Sequence, residues 1–220
     1  MLKSILDAVM ERRARQLMEQ VGAWLPAEGP LMDLGSGTGH LSARLERELG
    51  LEMVTADVSD IHVVGPPPVL IAEGVLPFEE KAFSATLLFF MLSYPTDPAN
   101  VLAEAARVTR GPIILVQSLH SGRLGHAWLR VREFLWTIVA FQVSKLLGYV
   151  PSTAEFTMNT RRFYTERELQ REVVKAKLRI RSRRERPVLP GRSLVVATWI
   201  LDPAFARCAG TKATASRRDG

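Results

Sequence analysis

The sequence predicts a doubly wound α/β domain, in which helices cover both faces of a mainly parallel sheet. Apolar runs typical of buried strands alternate with helical patterns through about residue 118. A glycine-rich turn directly follows the first of these runs, "LMDLG". The chain has 220 residues, of which 47% are hydrophobic, so it is long enough to bury a sizeable core.

The first half of the chain shows this alternation most clearly. Residues 4–24 carry apolar side chains at helical spacing and predict one or two helices. "LMDLG" then predicts a buried strand, residues 38–49 a helix ended by Gly50, and "LEMVTADVS" a second strand. "HVVGPPPV" predicts a proline-stiffened connection. "SATLLFFML" predicts a central strand, residues 97–108 a helix, and "IILVQS" another buried strand.

The second half predicts a capped helix and two more strands. "YTERELQREVVKAK" has Thr165 at the N-cap position and Glu168 three residues later, which is a capping box. "LRIRSRRER" and "SLVVATWIL" predict strands. We therefore expect one domain over residues 1–202, made of N-terminal helices (1–28), a core (30–118), an insert (119–160) and a C-terminal helix with strands (161–202). The small, polar residues 203–220 predict a disordered tail.

The charge and the cysteine count restrict the class of protein. The net charge is +6 and the pI about 9.9, which is compatible with nucleic-acid binding. The excess positive charge is concentrated in the C-terminal part of the chain, in "RIRSRRER" and "SRRDG". We favour the interpretation that these arginines lie on a solvated strand face and in a tail. The single Cys208 excludes an internal disulfide. No signal peptide and no membrane-spanning run is expected, so we predict a cytoplasmic protein.

The glycine loop "DLGSGTGH" has a spacing that argues against a dinucleotide site and excludes a P-loop. A dinucleotide fingerprint requires G-x-G-x-x-G, and here the third glycine, Gly39, comes one residue early. No Gly-Lys-Ser/Thr follows, which excludes a P-loop. Backbone N–H groups at a helix start suit a carboxylate, and Asp33 adds a negative charge suited to an ammonium. Asp57 stands 24 residues after Asp33, at the end of the second strand, where a carboxylate accepts both hydroxyls of a ribose.

These motifs resemble those of class I S-adenosylmethionine-dependent methyltransferases. "LMDLGSGTG", "VTADVS", "LPFEEKAF" and "DPANVLAEAARVTRGPIILV" look like the successive motifs of the small-molecule members with an "LPF" block. The resemblance covers residues 30–118 and, more loosely, 161–202. It implies a Rossmann-like, seven-stranded, mainly parallel sheet with an antiparallel C-terminal strand near residues 194–201. It also implies S-adenosylmethionine as the cofactor.

The resemblance assigns cofactor-binding roles residue by residue. The methionine part would lie along Gly35, Gly37 and Gly39, with Asp33 orienting its ammonium group. Asp57 would bind the ribose hydroxyls. The segment that begins at Glu73 and Gly74 would flank the adenine, and Phe90 and Met91 would lie beside the cofactor. Two positions depart from the family pattern, because residue 72 is alanine and Phe83 is followed by serine where aspartate is usual.

Candidate catalytic residues follow the fourth and fifth strands, where open α/β sheets bind ligands. Tyr94 follows strand four, and His120 follows strand five. Methyl transfer needs a base only when the acceptor must lose a proton, so His120 is a candidate base, and each residue could equally be a structural loop residue. The four histidines show no i,i+4 ligand pair and no nearby acidic cluster, so no metal is expected.

The segment after strand five breaks the alternation and has three open interpretations. Between residues 128 and 147 apolar residues cover most of a helix. It could be a helix packed over the sheet edge, a hydrophobic lid over an acceptor pocket, or a peripheral membrane contact. In the lid interpretation the acceptor would face four aromatic residues, namely Trp128, Phe134, Trp136 and Phe141.

The expected function is transfer of a methyl group to a small, lipophilic acceptor, with O-methylation favoured. Three alternatives stay open: a non-catalytic S-adenosylmethionine-binding protein, an RNA or DNA methyltransferase that uses the basic C-terminal cluster, and a nicotinamide oxidoreductase. A nucleic-acid partner is disfavoured, because no Asn/Asp-Pro-Pro-Tyr/Phe motif follows strand four, where the chain has "MLSYPTDP".

Overall fold

The computed structural model describes residues 2–135, 141–146, 148 and 160–203. Within these residues seven strands form one sheet in the order β3-β2-β1-β4-β5-β7-β6. Strands β1 to β5 are parallel, whereas β7 is antiparallel to both β5 and β6. The strands are β1 (Leu31–Leu34), β2 (Met53–Asp57), β3 (Val69–Leu70), β4 (Ala85–Phe89), β5 (Ile113–His120), β6 (Leu178–Pro187) and β7 (Leu194–Pro203). The predicted doubly wound, Rossmann-like sheet with an antiparallel C-terminal strand is confirmed.

Six α-helices lie in the described residues, and four of them cover the two faces of the sheet. Buried side chains of α1 and α2 pack on one face, and those of α3 and α6 pack on the other. This two-sided cover explains why the central strands are continuous apolar runs. The helices are α1 (Leu2–Val21), α2 (His40–Leu49), α3 (Pro98–Val108), α4 (Gly122–Phe134), α5 (Phe141–Leu146) and α6 (Glu166–Lys175).

Local capping chemistry fixes where these helices begin. At α3 the Asp97 side chain accepts a hydrogen bond from the backbone N–H of Asn100, and Pro98 occupies the first turn. The predicted capping box of Thr165 and Glu168 is present at α6. Helix α2 begins two residues later than predicted, because Gly39 has a φ of +79°, a left-handed conformation that an α-helix cannot contain.

The proline-rich connection contains one short strand that the sequence did not indicate. Val69 and Leu70 pair in parallel with Ala56 and Asp57 of β2. The three preceding residues are prolines, which have no N–H to donate, so the strand begins only at Val69. This edge pairing extends the sheet beside the end of β2.

Two sequence-based predictions concern segments that the structure describes only in part. The expected tail over residues 203–220 lies outside the described residues except for Pro203. Trp136 also lies outside them, and the side chain of Phe141 is not described. In the portion that is described, no helix is long and apolar enough to cross a bilayer. The domain boundaries stay a prediction.

Candidate functional site

A cavity of about 210 Å³ opens at the carboxyl edge of the sheet, where β1, β2 and β4 end. The switch point of the topology lies here, because the strand order runs outward from β1 in one direction and from β4 in the other. The glycine loop and the acid of β2 form one side, and α1 forms another. The lining residues include Met10, Arg13, Ala14 and Leu17 of α1, Asp33 to Thr38, His40, Leu41, Asp57 to Ser59, Ile61, Ile71, Phe89 to Met91, and Tyr94.

The glycine loop contains two positions where a larger residue would not fit. A Cβ atom on Gly35 would lie 2.8 Å from Cβ of Met91, and Gly35 has a φ of +78°. A Cβ on Gly39 would lie 2.3 Å from the carbonyl oxygen of Val64. Contacts this short are sterically excluded, so glycine is required for the loop to pass between β4 and the segment after β2. Gly37 is different, because a Cβ atom on it would meet nothing within 4 Å and its backbone faces open space.

Asp57 connects the end of β2 to the glycine loop. Its Oδ2 accepts a hydrogen bond from the Gly37 N–H at 2.9 Å, and its Oδ1 accepts one from the Val58 N–H at 2.7 Å. Burial raises the pKa of Asp57, while these backbone N–H donors oppose the rise. The carboxylate is therefore fixed in place at the cavity wall and keeps lone pairs for a ligand that donates hydrogen bonds.

Asp33 lies deeper, at the end of β1, with only 2% of its surface exposed. Ser42 of α2 donates a hydrogen bond from Oγ to Oδ2 of Asp33 at 2.6 Å. Burial raises the pKa of Asp33 to about 6, the Ser42 hydrogen bond opposes that rise, and the Asp57 charge adds to it. A cation placed near both acids would relieve this electrostatic cost.

Helix α1 is fastened over the cavity by polar contacts with α2. The His40 ring contacts Thr38 Oγ1 at 3.0 Å through Nδ1 and Asp7 Oδ1 at 3.1 Å through Nε2. One turn along each helix, Arg44 pairs with Glu11 at 3.1 Å. These contacts explain how an N-terminal helix, distant in sequence from the glycine loop, becomes a wall of the same cavity.

The end of β4 has an unusual backbone. Phe90 has a φ of +57° and a ψ of +11°, a left-handed conformation that is uncommon for a residue with a bulky side chain. The turn directs the chain into a short 3-10 helix, Met91–Ser93, and brings Met91 against Gly35. The guanidinium carbon of Arg13 lies 5.0 Å from the centre of the Phe90 ring, within cation–π range.

A smaller pocket adjoins the main cavity on the β3 side and shares Leu34, Val58, Ile71 and Met91 with it. Glu73 and Gly74 line this pocket. The Glu73 carboxylate accepts hydrogen bonds from the backbone N–H and the hydroxyl of Thr96. Asn100 donates from its side chain to the Gly74 carbonyl oxygen at 2.9 Å. Helix α3 therefore holds the segment before the "LPF" block in position.

Comparison with known proteins assigns this arrangement to a family. Residues 32–112 match the family model described as a methyltransferase domain, and this stretch contains β1, the glycine loop, Asp57 and β4. Residues 32–112 of the chain are therefore identified as a methyltransferase domain. The resemblance noted from the motifs is thereby confirmed, together with enzyme class and cofactor.

Solved structures share the fold of this methyltransferase at low sequence identity. Geranyl diphosphate C-methyltransferase from Streptomyces coelicolor A3(2) is 15% identical with a TM-score of 0.57, over 90% of this chain and 81% of that one. An S-adenosylmethionine-dependent methyltransferase from Methanosarcina mazei is 18% identical with a TM-score of 0.57, over 83% and 96%. The [4+2]-cyclase SpnF is 14% identical with a TM-score of 0.59, over 88% and 80%. No curated protein sequence matches the chain.

The methyltransferase brings most of the predicted cofactor positions together. Glu73 and Gly74 line the adjoining pocket, and Gly39, the N-cap residue of α2, lines neither the cavity nor that pocket. Six others line the main cavity, namely Asp33, Gly35, Gly37, Asp57, Phe90 and Met91. Their individual contacts with a cofactor stay predictions.

Tyr94 and His120, the two candidate catalytic residues, lie in different surroundings. Tyr94 lines the cavity, and burial raises its pKa to about 12, with the Glu133 charge adding to the rise. His120 is not among the residues that line the cavity. Its ring lies 5.0 Å from the ring of His126, which in turn lies 5.5 Å from the Phe163 ring. The structure therefore separates the two, and the role of His120 as a base stays a prediction.

The described aromatic residues of the insert lie at the surface. Trp128 and Phe134 of α4 are 48% and 59% exposed, and neither lines the cavity. Inward-facing residues of the same helix are Gly125 and Leu129, which are buried. A lid formed by Trp128 and Phe134 would require α4 to turn, so that interpretation also stays a prediction.

Sequence reasoning missed several residues of the cavity wall. Arg13 lies on α1, and Ser36 bonds His62 at 2.8 Å between Oγ and Nε2. The amphipathic pattern of residues 4–24 indicated a packed helix but not which residues would face the glycine loop. Only the fold places α1 there, so no sequence signal could have identified Arg13 as a cavity residue.

Proposed function

We propose that the methyltransferase transfers a methyl group from S-adenosylmethionine to an oxygen of a small, lipophilic acceptor. One observation carries this proposal: the cavity that contains the two acids and the glycine loop continues along an apolar wall. That wall is formed by Met10, Ala14 and Leu17 of α1, by Phe89 at the end of β4 and by Phe90, which follows it. Apolar walls with a few fixed polar groups are typical of small-molecule sites.

The residues of the cavity fit the cofactor. Two buried carboxylates suit an ammonium group and a pair of ribose hydroxyls, and they would repel a pyrophosphate. The open backbone at Gly37 offers an unobstructed approach for the methionine part. We therefore assign Asp33 and the glycine loop to the methionine end, Asp57 to the ribose, and the pocket with Glu73 and Gly74 to the adenine.

The main contribution of the protein to the reaction is to position the acceptor relative to the methyl group. When bound by Asp33, Asp57 and the glycine loop, S-adenosylmethionine would supply a methyl group activated for transfer by its carbon–sulfur bond to a sulfonium. Holding the acceptor in line with that bond supplies much of the rate. Tyr94, which stays neutral at pH 7, would hold the acceptor oxygen by a hydrogen bond. The proton lost on O-methylation leaves through water or through a base, for which His120 is the candidate.

Specific observations bear on two alternatives to a small-molecule methyltransferase. The [4+2]-cyclase SpnF shares the fold, so a methyltransferase-like cavity is compatible with a different reaction or with binding alone. A nucleic-acid methyltransferase would use the arginines of β6 on phosphates. Several of these arginines face carboxylates instead: Arg179 and Arg181 lie within 4 Å of Asp202, and Arg183 pairs with Glu166. The small-molecule proposal is therefore preferred.

The exposed face of α4 supports a peripheral contact with a membrane that contains lipophilic acceptors. Leu124, Trp128, Val131 and Leu135 follow one another at helical spacing, and each is exposed by 48–78%. Exposed Arg123 and Arg130 flank this stripe. An apolar stripe bordered by arginines is typical of helices that lie in an anionic lipid interface. We propose that this face rests on anionic lipid.

The function is tested by transfer of labelled methyl. The protein is incubated with methyl-labelled S-adenosylmethionine and a lipid extract, and organic-soluble label is measured with wild type and with Asp57→Ala. Label that appears with wild type and disappears with the variant supports the proposal. Binding of S-adenosylmethionine without any transfer supports the non-catalytic alternative, and label in RNA or DNA supports the nucleic-acid one.

The membrane contact is tested separately by vesicle sedimentation. Wild type should sediment with phosphatidylglycerol-containing vesicles, and Trp128→Ser with Val131→Ser should remain in solution. Val9→Ser serves as the matched control, because Val9 is an exposed apolar residue that belongs to α1 and not to the stripe. Equal sedimentation of the double variant and wild type would show that α4 does not form the membrane contact.

A further inference from the structure

His62 links the glycine loop to the segment after β2, which comprises residues 58–66. Its Nε2 atom lies 2.8 Å from Oγ of Ser36 in the loop. Its Nδ1 atom lies 2.6 Å from the carbonyl oxygen of Pro66, at the far end of the segment. Ser36 lines the cavity, whereas His62 is not among the lining residues. The imidazole therefore forms a bridge between a residue of the cavity wall and a stretch of chain outside the cavity.

The contact with Pro66 fixes the direction of both hydrogen bonds. A backbone carbonyl oxygen can only accept, so Nδ1 of His62 carries the hydrogen. In the neutral imidazole Nε2 then has a lone pair, and the Ser36 hydroxyl donates its proton to that lone pair. One ring thus satisfies a donor in the loop and an acceptor in the segment, and it fixes the rotation of the Ser36 side chain.

The segment also packs directly against the second half of the loop. The backbone N–H groups of Val63 and Val64 donate to the Thr38 carbonyl oxygen at 3.1 and 3.3 Å. A Cβ atom on Gly39 would lie 2.3 Å from the Val64 carbonyl oxygen and 3.1 Å from Nδ1 of His62. Glycine at this position therefore permits the close approach, and the segment holds the loop at two points.

Only one of these two points depends on a side chain of the segment. The Thr38 contact is made by backbone groups and does not require a particular residue type in the segment. The Ser36 contact is made by the His62 ring. The backbone N–H of Ser36 lies 3.4 Å from the Ala56 carbonyl oxygen, which is longer than usual for such a bond. Loss of the imidazole would therefore free the Ser36 side chain and leave the Thr38 contact in place.

Ser36 lies between Gly35 and Gly37, the two loop glycines that line the cavity. The Gly37 N–H is already bonded to Asp57 at 2.9 Å, so a movement of Ser36 would act directly on a backbone that faces the ligand. A loop that is ordered before binding loses less conformational freedom when the ligand binds. The bridge through His62 thus favours cofactor binding without requiring a contact between the imidazole and the cofactor.

We infer that His62 is a positioning residue for the cofactor. Through Ser36 it holds the glycine loop in the conformation that receives the methionine part of S-adenosylmethionine. This inference rests on the proposed function for the assignment of the loop to the methionine part. It adds that a residue outside the cavity contributes to the affinity for the cofactor.

Two conservative replacements separate the two contacts of the imidazole. The amide of glutamine lies as many bonds from the backbone as Nε2 of histidine, and the amide of asparagine as many as Nδ1. His62→Gln can therefore keep the Ser36 contact, whereas His62→Asn can keep only the Pro66 contact. Calorimetry should show that His62→Asn weakens S-adenosylhomocysteine about 3- to 10-fold, the effect of one hydrogen bond, and that His62→Gln restores most of the affinity. Equal affinities of the two variants, or the reverse order, would overturn the inference.

A double-mutant cycle determines whether His62 acts through Ser36. Affinities for S-adenosylhomocysteine are measured for Ser36→Ala, His62→Asn and the double variant. If the histidine acts through the serine, the double variant should bind no more weakly than Ser36→Ala alone, because the contact is already lost. Losses that add would show that His62 acts by another route and would contradict the inference.

Adenosine, which lacks the methionine part, distinguishes an effect on the loop from a general disturbance of the fold. It should bind to all three variants as it binds to wild type, and equal weakening of adenosine and S-adenosylhomocysteine would overturn the inference. His126→Asn is the matched control, since His126 is a half-buried histidine that is not among the residues lining the cavity. Its affinities should equal those of wild type, and melting temperatures establish that each variant is folded.

The affinities of wild type separate a failure of this inference from a failure of the proposed function. If wild type binds S-adenosylhomocysteine no more tightly than adenosine, the loop does not receive the methionine part, and the proposed function fails together with the inference. If wild type prefers S-adenosylhomocysteine and His62→Asn keeps the whole of that preference, only the inference fails.

Discussion

The carboxylate of Asp57 accepts a hydrogen bond from the backbone N–H of Gly37 at 2.9 Å. This contact joins the end of β2 to the middle of the glycine loop, so two motifs 20 residues apart in sequence form one wall. It also presents the carboxylate to the cavity in a fixed orientation, which reduces the ordering that a ligand must impose on binding.

Replacement of Asp57 tests the ribose assignment. Asp57→Ala should weaken binding of S-adenosylmethionine and of its demethylated product by about 1.5–3 kcal/mol, since charge-assisted hydrogen bonds are lost. Calorimetry with both ligands measures the change. Asp60→Ala is the control, because Asp60 is exposed on the same connection. Equal losses in the two variants would show that charge near the loop, and not a ribose contact, is responsible.

The raised pKa of Asp33, about 6 against an ordinary 3.8, predicts a pH-dependent stability. Between these values the folded state binds more protons than the unfolded state, so the free energy of unfolding falls as pH rises from about 4 to 6. The loss attributable to Asp33 is about 3 kcal/mol. Urea unfolding across pH 4–7 measures it, and Asp33→Asn should flatten the profile. A variant profile as steep as that of wild type would locate the dependence in other carboxylates.

The left-handed backbone of Phe90 predicts that glycine is a more stable replacement than alanine at this position, the reverse of the order expected within a strand. Phe90→Gly and Phe90→Ala both remove the ring, but only glycine adopts a φ of +57° without steric cost. The glycine variant should therefore be more stable by about 1 kcal/mol. At neighbouring Phe89, within β4, glycine should be the less stable of the same two replacements. Thermal unfolding of the four variants measures both differences in stability. A Phe90→Gly variant less stable than Phe90→Ala would contradict the prediction.

Tyr94 is expected to act as a neutral hydrogen-bonding group. Because burial raises its pKa to about 12, it does not ionise between pH 6 and 9. Tyr94→Phe should lower the transfer rate by about 5- to 100-fold, the effect of one hydrogen bond, and leave the shape of the pH–rate profile unchanged over that range. A profile that changes shape in the variant would mean that the phenol takes part in proton transfer.

The role of His120 as a base is tested by its replacement. If His120 is the base, His120→Ala should lower turnover by about 10²–10⁴-fold. Single-turnover assays of wild type, His120→Ala and His126→Ala separate this residue from its ring neighbour. Turnover that survives the His120 change would show that positioning alone drives the reaction.

Local sequence determined the parts of this protein that depend on short-range chemistry. Two motifs need a particular residue at a fixed position: the spaced glycines of the loop and the acid at the end of β2. Their pattern therefore predicted the cofactor class and most of the loop. The Thr165 capping box predicted the start of α6 in the same way. The apolar runs likewise indicated β4 and β5, because a strand covered on both faces must be apolar throughout.

The tertiary structure alone decided which distant residues share the cavity. It placed Arg13 over Phe90, and His120 beside His126 rather than in the cavity. It also placed Trp128 at the surface, although the apolar sequence of the segment after β5 had suggested a lid over the cavity. These outcomes depend on how α1 and α4 pack against the sheet. A helical pattern reveals that one face is apolar, but the partner of that face is set by long-range packing that no local pattern records.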